Sequence, residues 1–295
     1  MDLLAITHFL NWFLMITVPI LLGVYLINKF HFGWKLWGIG ACTFVISQIF
    51  HLPFNLYILN PLLVKLQPGL MGISALLILA ASGGLSAGIF EETARYCMYR
   101  WWIKDFRTWR SGILAGAGHG GIEAIILGIL VMLSYLNMMA YRNLDFTSLN
   151  LTYDQLNTAT QQVQAYWSTP WFATLLGALE RIFTIPFHIA ASLLVLQVFT
   201  RQQGHQKLGW LGLAILYHAF VDAMAVFINH QWGVYITEAV LGVFAVLSIV
   251  IIFALRQPEP EPVTIIPEQT PYKTPNFTPT QIEETSDNLE KTRFQ

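Results

Sequence analysis

Charged side chains are scarce in this chain of 295 residues: Asp, Glu, Lys and Arg make up 11%, against roughly 25% in soluble domains. So little charge excludes an ordinary water-facing surface over most of the length. With a formal net charge of -1 and no basic stripe, nothing in the sequence points to nucleic-acid binding. Only two cysteines occur, Cys42 and Cys97; they supply neither a disulfide framework nor a CxxC spacing and read as packing residues. No HExxH helix is present, and no internal repeat is evident, which counts against an inverted-repeat transporter. Before the first apolar run only Asp2 is charged and no small-residue cleavage site follows it, so a retained helix is expected there, not a signal peptide.

What the chain has in abundance is apolar sequence, with 55% hydrophobic residues and a mean hydropathy of +0.53. A helix needs about 20 apolar residues to cross a hydrocarbon core of ~30 Å. Seven runs qualify, near Phe9 to Ile27, Leu36 to Leu59, Leu70 to Phe90 (continuing to about Trp102), Gly112 to Ala140, Trp171 to Thr200, Leu208 to Ile228 and Val234 to Leu255. The expected fold is all-α, a polytopic transmembrane bundle over residues 1–256. From Arg256 onward, proline, glutamate, threonine and glutamine dominate, so residues 257–295 are expected to form a disordered tail. A polar stretch in the loop from Tyr141 to Pro170, Asp154 to Gln164, suits a short surface helix.

Lys and Arg fall on alternate loops: Lys29 and Lys35, then Arg95, Arg100, Lys104, Arg107 and Arg110, then Arg201 and Lys207, then Arg256. The opposite loops hold Lys65 and Arg142. By the positive-inside rule the N-terminus should lie outside and the C-terminus in the cytoplasm, with Trp101 and Trp102 near the cytoplasmic interface.

Ionisable residues inside spans are costly and mark function by default. The informative ones here are Glu91, Glu92 and Arg95 in span three, His119 and Glu123 in span four, Glu180, Arg181 and His188 in span five, and His218 and Asp222 in span six. Arg95 lies three and four residues after the two glutamates, within reach of either carboxylate. His119 with Glu123, and His218 with Asp222, are each four apart and share a helix face. Span five carries Glu180, Thr184, His188 and Ser192 at steps of four, with Pro186 expected to bend the helix. Small residues (Gly84 and Gly88; Gly112, Gly116, Gly120, Ala124 and Gly128) mark the faces that pack closely. At ~1.5 Å of rise per residue, Glu92, His119, His188 and His218 all lie about 14 to 20 Å from the basic side. Asp222 is expected deeper by about 6 Å and Glu180 by about 12 Å, making Glu180 the outlier. The third run is longer than a perpendicular crossing, so a tilt or a break at Gly83-Gly84 is expected. His8, His31, His51, His205 and His230 fall at span ends or in loops and read as interfacial.

Each of these residues has a structural alternative: a satisfied ion pair, a packed histidine, or a polar contact between helices. Two glutamates sharing one arginine leave a carboxylate in excess, which favours chemistry over bracing. In chain order Glu91-Glu92-Thr93-Ala94-Arg95 reads EExxR, Gly118-His119-Gly120-Gly121-Ile122-Glu123 reads GHGGxE, and His218 to Asp222 reads HxxxD. This series, from about Leu70 to Leu255, resembles the YhfC family of intramembrane peptidases. More distantly, it is similar to PrsW-type proteases and to the CAAX-processing and bacteriocin-processing membrane proteases. The last group typically has EExxxR and HxxxN, so prenylated substrates are not implied. The resemblance implies a multi-pass protein of a bacterial plasma membrane.

Read from the residues, the chemistry fits peptide hydrolysis on a membrane protein or peptide substrate within the bilayer. Glu91 or Glu92 would act as general base oriented by Arg95, His119 with Glu123 would position water or shuttle protons, and His218 held by Asp222 would donate to the oxyanion. Glu180 and His188 are secondary candidates. The cofactor expectation is none or a divalent metal such as zinc, held by His119, His188 and His218. Lacking HExxH, metal-independent glutamate catalysis ranks slightly ahead. The competing classes are a proton-coupled transporter, which requires a path to both membrane faces, and a non-enzymatic seven-helix membrane protein.

Overall fold

The computed structural model describes residues 2–66, 72–201 and 207–258, and among these no strand occurs. Among the described residues seven helices are long and apolar enough to cross a membrane: α1 (Leu3–Phe30), α2 (Trp34–Leu66), α3 (Ile73–Trp102), α4 (Trp109–Tyr141), α6 (Ala173–Thr200), α7 (Lys207–Trp232) and α8 (Val234–Ala254). Between α4 and α6 runs the exposed helix α5 (Tyr153–Ser168), which is the surface helix expected in that loop. The expected tail (from residue 259), Leu70 and His205 lie outside the described residues.

Helix ends follow local chemistry. Asp2 caps α1 by accepting from the Ala5 N–H at 2.8 Å, and the helix closes on His31 in the left-handed region (φ 58°). Thr108 and Ser111 form a reciprocal capping box that starts α4. In α2 the turn after Pro53 widens into a π-helical segment, Asn55–Leu59, and α3 ends in another, Met98–Trp102. Pro186 sits inside α6 without ending it.

The core is organised around α6. Its most apolar window is 72% buried, against 17 to 33% for the other six spans, and it touches α1, α3, α4, α7 and α8. Lipid removes the hydrophobic drive between helices, so small residues that admit close backbone approach decide which faces meet. A Cβ on Gly118 would lie 2.0 Å from the Trp37 carbonyl oxygen, which sets the α2 and α4 backbones in contact. Gly84 does the same between α3 and α7, where a Cβ would come within 2.4 Å of the Ala219 carbonyl. Of the tilt or break expected in this long run, the break does not occur: α3 runs unbroken through Gly83-Gly84, where Gly84 admits the α7 backbone. Large apolar side chains such as Leu21, Phe50, Leu216 and Val243 are more than half exposed around the outside, as a lipid-facing surface requires.

Candidate active site

The buried polar residues meet where α3, α4, α6 and α7 adjoin. Glu92 and Arg95 are fully buried and Glu91 nearly so. The Arg95 guanidinium donates to Glu92 Oε1 and lies 3.7 Å from Glu91 Oε2. One arginine therefore serves both carboxylates, as their spacing of three and four predicts.

Each histidine is fixed by a different carboxylate. His119 Nε2 donates to Glu91 Oε2 at 2.9 Å. His218 Nδ1 donates to Glu92 Oε1 at 2.6 Å, while its Nε2 lies 3.4 Å from Asp222 Oδ2 and 3.9 Å from Glu91 Oε2. His188 Nδ1 accepts from Arg95 at 2.8 Å, because a guanidinium has only donors. Its Nε2 then carries the hydrogen and donates to Glu123 Oε2 at 2.6 Å. Glu123 also takes Arg181 at 2.7 Å, and Arg181 reaches Glu180. The result is a continuous row: Glu180, Arg181, Glu123, His188, Arg95, Glu92, His218, Asp222.

Every expected site residue thus belongs to one connected network. Glu123 shares a helix face with His119 but pairs with His188 and Arg181, and His119 turns to Glu91. Glu180 stands apart from the histidines and joins through Arg181, consistent with its greater expected distance. Asp222 stays partly open, its side chain 39% exposed. Ser192 hydrogen-bonds Tyr99 at 2.8 Å, one turn beyond His188.

Sequence reasoning missed the contribution of α2. Gln48 donates to Glu91 Oε1 at 3.0 Å and pairs with His51, which accepts from Asn55, which in turn accepts from Ser86. The signal was present: Gln48, His51 and Asn55 recur every three to four residues within an apolar run. His8 and His51, expected at interfaces, are buried, His8 stacked on Tyr166 of α5.

The donor set fits a divalent cation. Glu91, His119 and His188 each offer a ligand atom, and these atoms lie within 4.8 Å of one another in buried surroundings. A carboxylate with two imidazoles is a donor set suited to a catalytic zinc, and Glu123 behind His188 supplies the carboxylate that usually orients such a histidine. Among the described residues His119 Nδ1, Glu92 Oε2 and Arg95 Nε are buried without a hydrogen-bonding partner. Five carboxylates (Glu91, Glu92, Glu123, Glu180, Asp222) meet two guanidinium groups (Arg95, Arg181), so acidic groups outnumber fixed cations. The trio differs from the three histidines expected: Glu91 stands where His218 was expected.

A family model described as YhfC intramembrane metalloprotease matches residues 14–250. The chain is 33% identical over 249 residues to an uncharacterized membrane protein, YhfC, of Bacillus subtilis (strain 168), covering 79% of this chain and 90% of that protein. No solved structure matches. The family match begins well before the motif region and takes in α2, whose Gln48 contacts Glu91. On the strength of that match the chain, a multi-pass membrane protein, belongs to the YhfC intramembrane metalloprotease family.

Proposed function

We propose that this protein is a metal-assisted endopeptidase that hydrolyses a membrane-associated protein or peptide between α3, α4, α6 and α7. We further assign the basic ends of the spans to the cytoplasm. The observation carrying the reading is the buried trio Glu91, His119 and His188, backed by Glu123.

These three residues would hold the ion, which when bound would supply Lewis acidity at the scissile carbonyl. Glu92 is the general base: Arg95 and His218 engage Oε1, leaving Oε2 as the buried oxygen with no protein partner that can take a proton from water. Water adds to the carbonyl carbon, its proton passes to Glu92, the C–N bond breaks, and the leaving amine takes up a proton. The Glu92 carboxyl returns its proton to that amine, while His218, donating to Oε1 and lying 3.4 Å from Asp222, links the base to the partly exposed end of the network. Arg95 is the cation nearest Glu92 and holds its orientation while charge develops on the carbonyl oxygen.

The test is cleavage of a panel of reporter membrane peptides by the purified protein in nanodiscs, with and without chelator and added zinc. Cleavage by the wild type, its loss in Glu92→Gln and His119→Ala, and reversal of chelation by zinc are expected. Cleavage unaffected by these variants would overturn the assignment of the site. Cleavage that resists chelation but needs Glu92 would return the mechanism to glutamate alone. The continuous row from Glu180 to Asp222 is also what a proton path would need. Proton flux in liposomes that depends on Glu180 and Asp222, without peptidase activity, would favour transport.

A further inference from the structure

Away from the buried network, the basic ends of the spans form a cleft lined by Tyr96 and Arg100 of α3, Arg107 of the α3 to α4 connection, Phe199 of α6, and Lys207 and Leu208 of α7. Its volume is about 470 Å³. Three cationic side chains from three segments line one space, and none of the described residues lining it is acidic.

The three cations differ in how firmly they are held. Arg107 lies with its guanidinium 4.5 Å from the centre of the Phe199 ring, and its Nε and Nη2 donate to the Tyr99 carbonyl at 3.0 and 2.8 Å. It is a fixed charge on a rigid floor. Arg100 and Lys207 are exposed at the rim, where they can close over an anion. The walls are apolar: Tyr96 and Phe199 pack with ring centroids 5.2 Å apart, beside Val198 and Leu208. Next to Arg100 the exposed indoles of Trp101 and Trp102 continue the same end of α3, and such side chains prefer the headgroup level of a membrane. A cationic floor and rim, an apolar wall and a place at headgroup depth together match a phosphodiester that carries acyl chains.

We propose that this cleft binds the headgroup of one anionic phospholipid, its phosphate between Arg107, Arg100 and Lys207 and its glycerol and upper chains against Tyr96 and Phe199. The bound lipid would tie the end of α3 to the start of α7, two helices whose opposed residues include Glu92 and His218.

The experiment uses the full-length protein, stripped of lipid in detergent and titrated with phosphatidylglycerol or phosphatidylcholine, with retained lipid counted by native mass spectrometry. One phosphatidylglycerol held in preference to phosphatidylcholine is expected. Arg100→Gln and Lys207→Gln should each weaken it about fivefold, in line with the attraction per basic side chain at an anionic surface. Lys35→Gln, at another basic loop, should leave it unchanged. Both cleft substitutions are at exposed positions, and an unaltered melting temperature in phosphatidylcholine nanodiscs shows that the fold persists. Equal retention of both lipids, or unchanged affinity in Arg100→Gln and Lys207→Gln, would overturn the proposal. Glycerol phosphate binding as tightly as the lipid would also overturn it, by assigning the cleft to a soluble phosphate.

Discussion

His188 Nε2 and Glu123 Oε2 lie 2.6 Å apart on neighbouring helices, and behind Glu123 stands Arg181 at 2.7 Å. The imidazole is thereby locked in orientation from one side, while its other nitrogen faces Arg95 and the buried carboxylates. If His188 is a ligand, Glu123→Gln and Arg181→Gln should each weaken zinc binding about 10 to 100-fold, the usual effect of losing a group that orients a metal-binding histidine. Competition against a chromophoric chelator measures this independently of activity. Partial recovery in Arg181→Lys would mark the arginine as a positioning residue, and unchanged zinc affinity in both variants would remove Glu123 from that role.

Glu92 has a different task from Glu91 in this reading, and the two are separable. Glu92→Gln should lower kcat by about 10² to 10⁴-fold, the range for a lost general base, while the purified protein keeps its zinc. Glu91→Gln should lose both. Metal analysis beside peptide cleavage distinguishes them, and zinc loss in Glu92→Gln would mean that the roles are reversed.

Much of this was legible before any coordinates, because burial in lipid leaves conspicuous marks. Seven apolar runs stand out, and charges within them are rare enough that Glu92, His119, His188 and His218 could be set at one depth by counting residues. What could not be read is which polar group on one helix turns to which on another. Periodicity gave Glu123 the same face as His119, yet the crossing of α4 with α6 delivers it to His188 and Arg181. Gln48 escaped notice because amides in an apolar run look like minor exceptions until a partner such as Glu91 is seen.

Close approach at Gly118 is predicted to be strict. In Gly118→Ala the new methyl would sit 2.0 Å from the Trp37 carbonyl, so α2 and α4 must move apart. A cost of about 1 to 3 kcal/mol is expected for such overpacking. Gly38→Ala, with nothing within 4 Å of the added atom, is the control. Thermal unfolding in detergent should lower the melting temperature for the first and leave the second near wild type.

Asp222 is the partly exposed end of the row and should tune turnover without being essential. Asp222→Asn is expected to reduce kcat about 10-fold with KM and zinc content unchanged, a partial loss of proton-transfer assistance. Steady-state kinetics with metal analysis checks this, and a total loss of metal would move Asp222 among the ligands.

The ion pair between Arg181 of α6 and Glu123 of α4 also bears on how the chain is made. A carboxylate released alone into the hydrocarbon core is costly, and α4 carries Glu123 together with His119. The arginine that pairs with Glu123 lies on α6, a helix that is synthesised later. During biogenesis, α4 should therefore linger at the insertion machinery until α6 arrives, and the two should leave for the bilayer as a pair.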